Sequence, residues 1–304
     1  MVRLSPGDCV TRRNLLSTTL AILPAAALAA NQSRYVKGIC SIIFPNDVPL
    51  PVKFRRAKAA GFDAIELRIG DEIPLTASAA ELRTIARAAS GEGMRIATLW
   101  ASQPLHANPL NSADAETRAR GVADLRRCVS LAHEVECDAL LLYPGSVTKD
   151  LGYEVTWMRF TEDLRKVIPM AAEARVYMNM ENVWNRFLVS PLEMRRFVDQ
   201  FESPWLQAHF DIGNIMQYGI PQDWIQTLGP RIRRVHVKDY KLAAGSAQGR
   251  FVDLWEGDVD WKAVMTAFRA VSYTGYLSPE ISYRADQPQQ LEAVSRQLDR
   301  ILAL

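Results

Sequence analysis

RVYMNMEN at residues 175–182, LQAHFDIGN at 206–214, RIRRVHVKD at 231–239 and GYLSPEIS at 275–282 are four short apolar runs, each closing on one acid or imidazole. The closing residues are Glu181, Asp211, His236 and Glu280. Side chains along a strand alternate between faces. Arg234, His236 and Lys238 therefore share one face of the third run, with Lys238 a layer above His236, while His209 stands a layer below Asp211 on the second. Each run is followed by a helix-like or loop segment. Consecutive parallel strands of a closed barrel would aim one such side chain apiece at a common point at their C-terminal ends, where barrels of this kind keep their chemistry.

Four similar runs precede these, at 37–43, 63–68, 95–100 and 138–143, making eight in all. Helix-like stretches with apolar residues at three- and four-residue spacing lie between them, for example at 79–90, 113–136, 157–172 and 191–201. Strands alternating with helices imply βαβ units and parallel pairing. Eight such units most simply close into a single (β/α)8 TIM barrel of the α/β class. An open doubly wound sheet would be expected to carry a Gly-x-Gly-x-x-Gly turn after its first strand, and none is present; Gly91-Glu92-Gly93 closes a helix instead. With 304 residues, 48% of them hydrophobic and 23% charged, the chain can build one large core and does not require a second.

Residues 1–30 read as a cleavable export signal. Thr11-Arg12-Arg13-Asn14-Leu15-Leu16 contains a twin-arginine pair, an apolar run extends from Leu15 to Leu28, and small residues at Ala27 and Ala29 suit cleavage after Ala29 or Ala30. A stable membrane anchor fits less well, because the run is shorter than the roughly 20 residues a bilayer requires and contains Pro24. The expected product is a periplasmic or secreted domain spanning 31–304. Loss of Arg3, Arg12, Arg13 and Asp8 leaves it formally neutral. No clustered cationic face is advertised, so nucleic acid is not an expected partner. Cys9 leaves with the signal, and Cys40, Cys128 and Cys137 lack metal-ligand spacing; a disulfide between two of them is allowed in an oxidising compartment but not indicated.

A Glu at a strand end is ordinarily solvated, and a His in an apolar run is ordinarily a hydrogen-bonded core residue. Together the four residues point elsewhere. Burying three carboxylates without a cation costs several kcal/mol per uncompensated charge. Three carboxylates and one imidazole suit a divalent ion of the Mn2+, Mg2+ or Co2+ kind better than a thiolate-type zinc site.

The chain resembles the sugar phosphate isomerase/epimerase family with a xylose isomerase-like TIM barrel, which includes ketose 3-epimerases, hydroxypyruvate isomerase and inosose dehydratase. The matching stretches are GFDAIELR at 61–68, MENVWNRFLVSP at 180–191, FDIGNIMQYG at 210–219, RVHVKDYK at 234–241 and LWEGDVDW at 254–261. The resemblance implies that Glu181, Asp211, His236 and Glu280 hold the metal and that the two Glu residues also handle the proton. Two positions depart from the epimerase pattern. Asn214 stands where many members have a substrate-contacting His, and Leu242 stands where the epimerases have an Arg, with Lys238 and Lys241 nearby.

A divalent ion on a carbonyl and its neighbouring hydroxyl stabilises the enediolate left when a proton departs the adjacent carbon. Carboxylates on either side of the sugar can return that proton to the opposite face or to the next carbon, which is epimerisation or isomerisation. Expulsion of a β-substituent instead would make the enzyme a lyase or dehydratase acting on an oxidised sugar, glycoside or cyclic polyol. Glu181 and Glu280 are the expected proton carriers, and Lys238 is a candidate for polarising an oxygen or assisting a leaving group, or a solvated rim residue. Glu66 either reaches the pocket or pairs with Arg68 or a loop. Trp100, Tyr143, Trp184 and Trp255 are candidates for aromatic walls or for plain packing. Glu256-Gly257-Asp258 reads as a tight loop before a helix anchored by Trp261. Phosphorylated sugars are scarce outside the cytoplasm and no Gly-rich phosphate cradle is visible, so the expected partner is an unphosphorylated sugar or keto-sugar. A homo-oligomer is left open.

Overall fold

The computed structural model describes residues 35–245 and 248–304. The expected export segment, with Cys9, lies outside them. Eight parallel strands close into a barrel: β1 (Val36–Cys40), β2 (Ala64–Arg68), β3 (Arg95–Trp100), β4 (Ala139–Leu142), β5 (Tyr177–Glu181), β6 (Leu206–Asp211), β7 (Ile232–Val237) and β10 (Tyr276–Pro279), with β10 pairing to both β7 and β1. All eight expected runs become barrel strands. The first is shorter than expected, because the chain turns through a 3-10 helix at Ser41–Ile43.

Strands covered on both faces read as continuous apolar runs, and β4, Ala-Leu-Leu-Leu, is buried at every position. The helices begin where local chemistry satisfies their free N–H groups. Ser78 with Glu81, and Ser190 with Glu193, form capping boxes at Ala79–Gly91 and Pro191–Asp199. The expected helix at 157–172 is instead two, Tyr153–Arg165 and Ile168–Ala174. Pro169 lacks an N–H to continue a helix but fits the first turn of a new one.

A short antiparallel hairpin, β8 (Asp239–Lys241) and β9 (Arg250–Val252), follows β7; the sequence patterning did not reveal it. Three-residue strands are too short to show alternation. Cys40, Cys128 and Cys137 are free thiols, all buried. Among the described residues no helix is long and apolar enough to cross a membrane.

The barrel interior is partly polar, with Glu66, Thr98, Asn179, His209, Arg234 and Ser278 all buried. Arg234 closes the N-terminal end: its Nε donates to Ala97 O at 3.0 Å, its Nη1 to Arg233 O at 3.0 Å, and its Nη2 to Asp138.

Candidate metal centre and active site

Parallel register sets the levels. Asp211 on β6 lies opposite His236 on β7, His236 lies opposite Ser278 on β10, and Glu181 on β5 lies opposite His209. Glu280, two residues beyond Ser278, donates its backbone N–H to Val237 O at 3.2 Å. Glu181 and Glu280 thus approach Asp211 and His236 from opposite sides, and their longer side chains make up the difference in level.

The expected quartet converges. One ligand atom from each of Glu181, Asp211, His236 and Glu280 falls within 4.8 Å of all the others. His236 Nδ1 is 3.1 Å from Glu181 Oε1, 3.7 Å from Asp211 Oδ2 and 2.8 Å from Glu280 Oε2. Lys238 reaches over the same group, with Nζ 2.9 Å from Asp211 Oδ2 and 2.7 Å from Glu280 Oε2. Despite these short separations, Asp211 Oδ2 and Glu280 Oε2 are buried acceptors that receive no hydrogen bond of proper direction. Glu66, Glu181, Asp211 and Glu280 bring four carboxyl groups against one ammonium and one imidazole. A dication held by the quartet would satisfy the orphaned oxygens and offset the surplus charge, so the donor set fits a hard or borderline divalent ion.

Local structure aims each group. Asp211 ends β6 and caps the short helix Ile212–Ile215, its Oδ1 accepting the Asn214 N–H at 2.8 Å, which leaves Oδ2 to face the site. Asn182 clamps the Asp211 backbone on both sides, accepting its N–H and donating to its C=O, each at 2.8 Å. Asn214, at the substrate-His position of the epimerase pattern, is buried and donates to Asn182 O at 3.0 Å. It braces the loop. Gly213 is required there, since a Cβ would approach Lys238 Cβ to 2.6 Å.

The electrostatics separate the two glutamates. Burial pushes Glu181 up to about 7, with Glu280 adding to the rise and His236 opposing it. Burial would also raise Glu280, but Lys238 and His236 beside it win and hold it below the ordinary carboxylate range. Two neighbouring carboxyls pushed apart in this way are suited to opposite roles in proton transfer. Burial opposes the charge on Lys238, yet Asp211, Glu280 and Glu181 outweigh it and push the ammonium up. In the metal-free site Lys238 is therefore held as an ammonium.

Glu66 does reach the interior. It is fully buried, and its Oε2 accepts from Trp100 Nε1 at 2.8 Å and contacts His236 Nε2 at 3.2 Å. The alternative pairing with Arg68 does not occur, because Arg68 turns to Asp71, Glu72 and Asn46.

The aromatic candidates divide. Trp100 packs against His236, ring centres 5.3 Å apart. Trp184 is 42% exposed, donates to Asn214 O at 2.7 Å and stacks on Phe251 of β9 at 5.3 Å, and Phe251 in turn lies 5.2 Å from Lys238 Nζ. Tyr143 is hydrogen-bonded to Ser146 and packs on His106. Trp255 is not a pocket wall: its indole donates to Gln297 O, and its ring packs against Trp261 and Arg300. The Glu256-Gly257-Asp258 loop and the buried Trp261 are as expected. Their organiser, Asp239, was not anticipated. It accepts the backbone N–H groups of Trp255 and Val259 and the Trp261 indole N–H.

A cleft of about 360 Å³, lined in part by Ile42, Lys238, Phe251, Glu280, Ile281 and Arg284, opens beside the quartet. A larger cavity of about 580 Å³ lies at the N-terminal end of the barrel among Arg95, Arg233, Arg234 and Tyr276, away from the converged carboxylates.

This closed barrel with a quartet at its C-terminal mouth defines a class, and comparison places the chain within it. Residues 54–301 match the xylose isomerase-like TIM barrel family, and the chain belongs to that family. It is 27% identical over 250 residues to the L-ribulose-5-phosphate 3-epimerase of Salmonella paratyphi A, covering 80% of this chain and 86% of the relative. Among solved structures, a D-psicose 3-epimerase in the presence of D-fructose superposes with a TM-score of 0.73 at 19% identity, over 88% of this chain and 97% of the other. The 3-keto-D-glucoside 4-epimerase of Escherichia coli superposes with a TM-score of 0.72 at 17% identity, over 89% and 100%. At such identities the structural likeness speaks for the fold.

Proposed function

We propose that this protein is a divalent-metal-dependent sugar epimerase or isomerase, an isomerase-class enzyme, acting on an unphosphorylated sugar or keto-sugar through an enediolate. The observation that carries the proposal is the convergence of Glu181, Asp211, His236 and Glu280 at the barrel mouth. The curated relative and the structural neighbours cited above bear the names of sugar epimerases. Glu181, Asp211, His236 and Glu280 would hold the ion, Mn2+ being the first choice with Mg2+ and Co2+ as alternatives. When bound, such an ion supplies electrophilic polarisation of a carbonyl and its adjacent hydroxyl. The rest falls to the chain. Glu181 and Glu280, which approach the site from opposite sides, are the proton carriers. Lys238 orients a substrate oxygen with its N–H groups, while Phe251 and Trp184 offer an apolar wall to a sugar ring.

The preference for an unphosphorylated substrate rests on charge. Four cations around the quartet and its cleft already have anionic partners: Lys238 with Asp211 and Glu280, Arg284 with Asp253, Lys241 with Asp258, and Arg68 with Asp71 and Glu72. A phosphate drawing on any of these four would have to break its pair. Export through the twin-arginine route to the periplasm, motivated by Arg12-Arg13, belongs to the same proposal; a reporter fused to residues 1–40 that stayed in the cytoplasm would remove it.

The test is incubation of Mn2+-loaded protein in D2O with D-fructose, D-psicose, L-ribulose, a 3-keto-glucoside and L-ribulose 5-phosphate. Deuterium in a recovered unphosphorylated sugar, with an epimer or isomer formed, is the expected result. Exchange confined to the phosphate ester would overturn the substrate class, and loss of water or aglycone would make the enzyme a lyase.

A further inference from the structure

Glu66 comes from β2, on the far side of the barrel from the strands that carry the quartet, and nothing in the metal-centre reading requires it. We infer that Glu66 is a positioning residue for His236, fixing the imidazole so that Nε2 carries a proton directed at Glu66 and Nδ1 faces the other three ligands. The inference rests on the quartet being a metal centre, and three observations carry it.

The two imidazole nitrogens look in different directions. Nδ1 lies among Glu181, Asp211 and Glu280, whereas Nε2 lies 3.2 Å from Glu66 Oε2. A ligating imidazole that donates its other N–H to a carboxylate is both oriented and made more electron-rich.

The Glu66 carboxylate is aimed at His236. Its Oε2 also accepts the Trp100 indole N–H at 2.8 Å, which fixes its direction, and its Oε1 is buried without a hydrogen-bond partner. A fully buried carboxylate costs several kcal/mol unless an opposite charge compensates it. Arg68, its neighbour in sequence, serves Asp71 and Glu72 instead.

The competing arrangement is an ion on the other side of the ring. Cys40, Glu66 and His236 also bring candidate ligand atoms within 4.8 Å of one another. Cys40 is a fully buried free thiol within that trio. Only three donors are grouped there, against four at the mouth, and the Nε2 side is left as the hydrogen-bonding side.

Metal-free full-length protein is titrated with Co2+ by calorimetry and visible absorption, comparing wild type with Glu66→Gln. The amide preserves shape and removes the charge. The expected result is binding of one Co2+ by wild type, about 10–100-fold weaker binding by the variant, and an altered Co2+ spectrum. Affinity within about twofold of wild type would overturn the inference while leaving the metal centre intact, whereas absence of Co2+ binding by wild type would overturn the metal centre itself, and with it the inference. Should Glu66→Gln fail to fold, wild type alone decides. With four His in the chain, 15N-histidine labelling of the Zn2+-loaded protein resolves the tautomer. A slowly exchanging Nε2 proton with metal-shifted Nδ1 supports the inference, and metal on Nε2 overturns it.

Discussion

One strand carries charge to both ends of the barrel, and the two ends treat it differently. On β7, Arg234 near the N-terminal end has an acceptor for each of its three nitrogens, in Ala97 O, Arg233 O and Asp138, and its guanidinium stacks 4.3 Å from the Tyr276 ring centre. Two residues on, His236 faces three carboxylates, and buried oxygens of Asp211 and Glu280 go without a directed partner. Arg234 is a finished structural contact. The His236 end is an unfinished one, with buried carboxylate oxygens that the proposed cation would satisfy. Buried polar groups that are satisfied build a fold; those left open mark where it works.

That contrast can be broken in four ways. Glu280→Gln and Glu181→Gln should each lower turnover by about 10²–10⁴-fold, read as the rate of deuterium entry into the recovered sugar; a Gln variant of either with full turnover removes that residue from proton transfer. Next in size is the metal itself. Saturation at about 100 times the dissociation constant should stabilise the protein by about 2.7 kcal/mol, seen as a rise in melting temperature that excess EDTA reverses. Arg234→Met should show the complementary behaviour. It should destabilise the protein by about 1–3 kcal/mol through lost charged hydrogen bonds in denaturant titration, while leaving metal affinity nearly unchanged. A large fall in affinity would show that the two ends are not independent.

The fourth effect is with pH. Burial works against a charged His236, but the surrounding Cys40, Glu280 and Glu66 outweigh it and hold the imidazolium well above its ordinary range. A raised value means that the proton stabilises the metal-free fold at low pH and that this contribution fades as pH rises through the folded value. The same proton competes with metal at Nδ1. Calorimetric affinity should therefore strengthen from pH 6 to pH 8, by at most about tenfold per unit for each displaced proton, from His236 and from Glu181, whose carboxyl burial pushes up to about 7. An affinity independent of pH would place no proton on the ligand nitrogen.

The barrel was legible because each strand is a short apolar run with a clear end, and because βαβ units repeat. The quartet was legible for a related reason: in a parallel barrel the C-terminal residue of a strand faces the mouth, so position in the run predicted position in space for Glu181, Asp211, His236 and Glu280. Lys238 followed from alternation along β7. Glu66 stayed ambiguous, since the sequence places it beside Arg68 and cannot say which of the two neighbours, Arg68 or the distant His236, it serves. Asn182 and Asp239 carried no periodic signal. Both act through hydrogen bonds to backbone groups, and which backbone group lies within reach is decided by how loops fold back. The β8–β9 hairpin, which supplies Phe251, was too short to pattern.

The sequence by itself thus determined the closed cylinder and the four groups at its mouth, because both follow from local alternation repeated eight times. Only the tertiary structure decided which carboxylate meets which face of His236, since that depends on contacts between residues as far apart as Glu66 and His236, and separation along the chain conveys nothing about them.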